Sequence, residues 1–157
     1  MKIRKVVANE RKAQLELTTF NGKLYPFPFA RLEPQPSSHD KLAEVIVDDE
    51  LGREAVTYRL ASGAEGTVHL EQALDYNRDP AYLADLLVHK LSAQARRRAD
   101  EIGVSRRELA RRLRTSVPQL YRLLDPANTN KSLGQLISLL HILDCEVDLV
   151  VRPREVA

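Results

Sequence analysis

The sequence contains no tryptophan, a single methionine and a single cysteine, and its aromatic residues are few. Any core must therefore be built from Leu, Val, Ile and Ala. Cys145 alone can close no internal disulfide, and the expectation is a cytoplasmic protein. No apolar run approaches the roughly 20 residues of a membrane span. The opening MKIRKVVANERK lacks the apolar stretch of a secretory signal, so no membrane partner is expected. There is no GxSxG, P-loop, HExxH or dinucleotide fingerprint. His39, His69, His89 and His141 share no ligand spacing. Neither an enzyme nor a metal or cofactor site is expected. Asp48, Asp49 and Glu50 read as a charged turn rather than a cation site.

Net charge is also small, at +2, because the two signs nearly balance. Its distribution is uneven. Residues 1–79 hold 11 Lys/Arg against 13 Asp/Glu, whereas residues 80–157 hold 13 against 9. Between positions 96 and 122 nine arginines face three acids. A local surplus of this kind suits a polyanionic partner.

The first half reads as β-structure. Residues 2–8, 14–19 and 23–27 are short runs rich in β-branched and apolar side chains. Leu15, Leu17 and Thr19 alternate with Gln14, Glu16 and Thr18, the pattern of a half-buried strand. Asn21-Gly22 between two such runs predicts a hairpin, since both residues tolerate positive φ. Pro26 and Pro28 end the third run or set it at a sheet edge. After a loop at 34–41, further strands are expected at 43–48, 55–60 and 67–70, with turns at 49–53 and 62–66. Residues 1–75 thus form a small antiparallel β domain.

Asp79-Pro80 marks the switch, a capping residue followed by a proline at the first helical position. Leu83, Leu86, Leu87, Leu91 and Ala95 then recur with helical period up to Gly103. Three serines follow, each opening an amphipathic run with Glu or Gln three places on: Ser105 with Glu108, Ser116 with Gln119, Ser132 with Gln135. This is the capping-box spacing. The helices after Ser105 and Ser116 are joined only by Arg114-Thr115. Leu109, Ala110 and Leu113 form the apolar face of one; Leu120, Leu123 and Leu124 form that of the other. Cys145 lies in an apolar run and reads as a core thiol. Residues 146–152 alternate like a strand. The fold class expected is α+β: a β domain over 1–75, then an all-α domain with a terminal β-strand over 76–157.

The run SRRELARRLRTSVPQLYRLLDPANTNKSLGQLISLLHILDCEVDLV resembles the lambda-repressor-like, or Xre-type, helix-turn-helix family over roughly residues 81–151. It departs at Arg114, where the family has Gly; the turn tolerates this if Arg114 stays out of positive φ. The early hairpin and later strand pair of the N-terminal half resemble a small bacterial β-rich domain family of unknown function. The helix-turn-helix resemblance implies double-stranded DNA as partner, with phosphate contacts from Ser105 and Arg106. It implies base-edge contacts from Val117, Pro118, Gln119 and Arg122, and backbone contacts from Asn128, Thr129, Asn130 and Lys131. Thr115, Ser116 and Tyr121 complete the expected DNA-binding set. The Arg96–98 run, Arg111 and Arg112 read equally well as solvated surface or as DNA contacts.

Two functions fit. One is a transcriptional regulator acting as a homodimer on a palindromic operator. The other is an antitoxin whose β domain binds a partner toxin. For dimerisation the expected interface is the terminal strand, through Val147, Leu149 and Val151; an edge of the β domain is its alternative partner.

Overall fold

A computed structural model describes residues 1–155. It shows a mixed α+β chain with two three-stranded antiparallel sheets and five α-helices. It divides into two compact units, Met1–Leu83 and the remainder from Ala84.

In the first unit, β1 (Ile3–Asn9), β2 (Gln14–Thr19) and β3 (Leu24–Pro28) form one sheet in that order. The alternation of β2 is realised in its packing. Leu15, Leu17 and Thr19 are fully buried, while Gln14, Glu16 and Thr18 are half-buried. The β2–β3 turn runs through Asn21-Gly22, with Gly22 at φ +84°. Its amide donates to the Thr19 carbonyl at 3.0 Å. β3 is an edge strand, which accommodates Pro26 and Pro28 without loss of a central ladder bond.

The second sheet comprises β4 (Leu42–Val47), β5 (Ala55–Leu60) and β6 (Glu65–His69), with β5 central. Asp48 organises the β4–β5 turn. Its carboxylate accepts from the Leu51 amide at 2.9 Å and the Thr57 hydroxyl at 2.8 Å. Arg53 pairs with Asp49 and also donates to the carbonyls of Ile3 and Arg4, tying this turn to β1. Asp48 and Asp49 are thus occupied in holding the turn. Gly66 does not lie in a turn, as its setting beside Gly63 suggests. It is a strand position opposite Tyr58, and a Cβ there would lie 2.3 Å from the Tyr58 hydroxyl and 2.6 Å from the Glu33 carbonyl.

The expectation of a last strand ending at Leu70 is overturned. Leu70 opens α1 (Leu70–Tyr76), whose Leu70, Ala73 and Leu74 cap the core of the two sheets. Gln72 accepts from the His69 amide at 2.8 Å. The seven-residue helix is short enough for a strand pattern to mask it.

Asp79 begins α2 (Pro80–Ile102) as expected, accepting from the Tyr82 amide at 3.1 Å. It is also buried and takes hydrogen bonds from the Tyr25 hydroxyl (3.0 Å) and the Lys23 ammonium (3.3 Å). These bonds, that of Tyr82 foremost, hold its carboxyl below the usual range. Burial, with Asp79 beside it, pushes the Tyr25 hydroxyl up to about 12.

The second unit is helical: most of α2, then α3 (Arg106–Leu113), α4 (Val117–Leu124) and α5 (Leu133–Ile142). The buried stripe of α2 is Ser92, Ala95 and Ala99, with Leu91 and Ile102 beside it. Leu87, expected on that face, is 57% exposed. Small residues along α2 allow close packing against Leu109, Leu120, Leu139 and Leu140. Cys145 is half-buried against this cluster.

The expected terminal strand is not formed. Residues 146–152 carry no regular structure, and Leu149, Val150 and Val151 are 78%, 67% and 83% exposed. A strand exists only with a neighbour to complete its ladder, and no described strand pairs with this segment.

Candidate functional site

The α3–α4 pair is set by its two serine caps and its turn. Ser105 accepts from the Glu108 amide at 3.2 Å, and Ser116 from the Gln119 amide at 3.3 Å. These caps are one-way. Of the three serine caps, Ser132–Gln135 at α5 alone is a reciprocal box, with the Gln135 side chain accepting from the Ser132 amide. Glu108 does not reach back because both its oxygens are taken by Arg111 and Arg112, at 2.6 to 2.9 Å. Those two guanidinium groups, Arg111 first, pull the Glu108 carboxyl down to about 2.

The turn places Arg114 at φ +56°, ψ +44°, so the condition that it avoid positive φ is not met. The reason lies in the backbone bonds. The Arg114 amide donates to Arg111 and the Thr115 amide to Ala110, which is the Schellman closure of a helix end. The closure demands a left-handed residue whatever its side chain. The same bonds close α1 at Arg78 and α5 at Asp144, also at positive φ.

With this turn, Leu109 and Ala110 of α3 meet Leu120, Leu123 and Leu124 of α4 in one buried cluster. The opposite face of α4 is left to solvent. Pro118, Gln119, Tyr121 and Arg122 are exposed, and Val117 is half-buried. Tyr121, at 56% exposure, is not a core residue. Pro118 occupies the first turn, where a missing amide hydrogen is harmless. Thr115 is half-buried and Ser116 exposed.

The flanking cations divide into two groups. Arg106 pairs with Asp100 at 2.6 Å, Arg97 with Glu101 at 2.9 Å, and Arg98 reaches Glu101 at 3.7 Å and the Leu143 carbonyl at 3.1 Å. With Arg111 and Arg112, five of the nine arginines have a carboxylate. Among the described residues Arg96, Arg107, Arg114 and Arg122 have no such partner. Arg107 was not singled out from sequence; its signal is that no acid lies three or four places away on its helix.

The loop after α4 is built internally. Asp125 accepts from the Ala127 amide, and Asn128 from that of Asn130. His89 of α2 contacts the Pro126 carbonyl through Nδ1 at 2.9 Å. Thr129 is half-buried and Asn130 exposed. Lys131, expected to reach outward, turns inward. Its ammonium donates to the carbonyls of Arg122 (3.0 Å), Leu123 (2.8 Å) and Asp125 (2.7 Å), at the end of α4. Burial pushes its pKa below the ordinary lysine value, with Asp125 acting in the other direction.

Comparison with known proteins finds no family model, no curated protein and no solved structure that matches the chain. Among the described residues no helix is long and apolar enough to cross a membrane, and no group of three His, Cys, Asp or Glu could hold a metal ion.

Proposed function

We propose that the chain is a sequence-specific DNA-binding transcriptional regulator, acting as a homodimer on a two-fold symmetric site in the cytoplasm, with α3 and α4 as its helix-turn-helix. One observation carries this reading. α4 buries Leu120, Leu123 and Leu124 and offers Pro118, Gln119, Tyr121 and Arg122 to solvent on a short, firmly capped helix. That helix suits insertion into a major groove. Gln119 has the donor–acceptor pair to read adenine, and Arg122 the fork to read guanine. Ser105, Ser116 and Asn130, with Arg107 and Arg114, supply phosphate contacts that fix register without reading sequence. Arg106 and Lys131 support the scaffold instead, through Asp100 and the α4 carbonyls.

The test is titration of variants against a duplex selected from a random library and against a scrambled one. Arg122→Ala and Gln119→Ala each cost about 1–3 kcal/mol on the selected duplex and relax base preference. Arg107→Ala weakens both duplexes alike. Wild-type affinity and preference in both Arg122→Ala and Gln119→Ala would remove α4 from this role.

A further inference from the structure

The segment after α5 presents a run of apolar side chains to solvent. Val147, Leu149, Val150 and Val151 are exposed. Among the described residues the backbone of 146–155 makes no hydrogen bond to other backbone. What could cover it is written in its charges. From 146 to 154 the residues are Glu, Val, Asp, Leu, Val, Val, Arg, Pro, Arg. The signs are antisymmetric about Val150: two carboxylates at two and four places before it, two guanidinium groups at two and four places after it.

In an antiparallel pair, residues opposite each other share a face. Two copies of this segment crossing at Val150 set Asp148 opposite Arg152 and Glu146 opposite Arg154, each twice by symmetry. Parallel, in-register pairing sets every carboxylate against its like. Shifting the antiparallel crossing to Asp148 puts two aspartates opposite each other.

The same register resolves the odd positions. Val147, Leu149, Val151 and Pro153 fall together on the other face, with Leu149 opposite Val151 and Val147 opposite Pro153. Along an antiparallel ladder, residues alternate between those that exchange backbone bonds and those whose amides point away. Pro153 has no amide hydrogen, so the odd positions are the outward ones. The Leu149 amide, which then points away from the partner strand, is already satisfied by the Asp148 carboxylate at 2.8 Å. The even positions, 146 to 154, carry the ladder.

We infer that residues 146–154 are a self-recognition strand, whose partner is the same segment of a second copy in antiparallel register centred on Val150. The inference rests on the homodimer of the proposed function and gives that dimer its two-fold axis. It does not depend on DNA binding.

Two measurements on the full chain test it. Sedimentation of Asp148→Arg and of Arg152→Asp shows dimer dissociation constants raised about tenfold or more, because each substitution sets like charges opposite in two places. The double variant recovers the wild-type constant. In a Cys145→Ser background, Val150→Cys forms an intermolecular disulfide on mild oxidation, since the directly opposed Cα atoms lie about 5.5 Å apart, within disulfide reach. Leu149→Cys, opposed by Val151, forms far less. Positions 148 to 152 are exposed, so substitution there spares folding, and the serine at half-buried position 145 is close in size to the thiol it replaces. A wild type that is monomeric at micromolar concentration overturns the dimer and the register together. A dimer without charge-swap recovery, or with Leu149→Cys the better cross-linker, overturns the register alone.

Discussion

The ammonium of Lys131 lies 2.8 Å from the carbonyl oxygen of Leu123, inside the curl of chain that follows α4. With its bonds to Arg122 and Asp125, it satisfies carbonyls that every helix leaves orphaned at its C-terminal end, and its charge complements the helix dipole there. Lys131→Ala is expected to lower the stability of the second unit by about 1–2 kcal/mol. Urea denaturation followed by circular dichroism measures it. An unchanged midpoint would mean that water replaces the ammonium at no cost.

Arg114 sits in the left-handed region that glycine enters without steric penalty. Arg114→Gly should raise stability by about 0.5–1 kcal/mol, the relief of strain exceeding the added freedom of the unfolded chain. Arg114→Val should lower it, because a β-branched side chain fits that conformation worst. Thermal melts of the three proteins order them Gly, Arg, Val if the closure of α3 survives substitution.

Glu108 makes the helical unit acid-sensitive in a defined window. Its carboxyl is held at about 2 in the fold, against 4.5 for a free side chain. A depressed folded pKa favours the ionised, folded form. The contribution is therefore complete above pH 4.5 and disappears as pH falls to about 2. Glu108→Gln removes that component, so the difference in urea midpoint between wild type and variant should shrink across this window. A difference independent of pH from 5 to 2 would contradict the assignment.

Gly66→Ala tests the closest approach in the β unit. Its methyl would enter the space held by the Tyr58 ring and the Glu33 carbonyl, and the Tyr58 hydroxyl is fixed by its 2.8 Å bond to Pro34. The expected loss is about 1–3 kcal/mol, the ordinary cost of overpacking. Chemical denaturation read through tyrosine fluorescence checks it.

What could be read from the sequence was what local chemistry decides. β2 and β5 fall at the expected residues because their alternation matches burial on one face of a sheet. The Asn21-Gly22 hairpin and the serine caps of α3, α4 and α5 were legible because a turn or a cap needs only a few neighbouring atoms. Lys131 was not legible in its true position, since the carbonyls it meets lie six to nine residues earlier in the chain, at the end of a helix. Glu108 was misread because two interactions at legitimate spacing compete for one carboxylate, and the two arginines win over the Ser105 amide. Residues 146–152 alternate as a strand does, yet no strand forms there, because pairing is a property of two segments. α1 was lost because Leu70 satisfies both a strand ending and a helix beginning.

The ion pairs around α3 have a thermodynamic consequence for binding to a polyelectrolyte. The logarithm of affinity falls with the logarithm of salt in proportion to the phosphates a protein neutralises, about 0.9 per contact. Nine arginines would suggest a steep dependence, but Asp100, Glu101 and Glu108 cancel three of those charges and between them engage five of the guanidinium groups. On the proposed reading the slope per subunit is then set by about four cations, those without carboxylates. Attraction to arbitrary duplex is correspondingly shallow. On that same reading, residence on a chosen site would depend on Gln119 and Arg122 meeting the right bases.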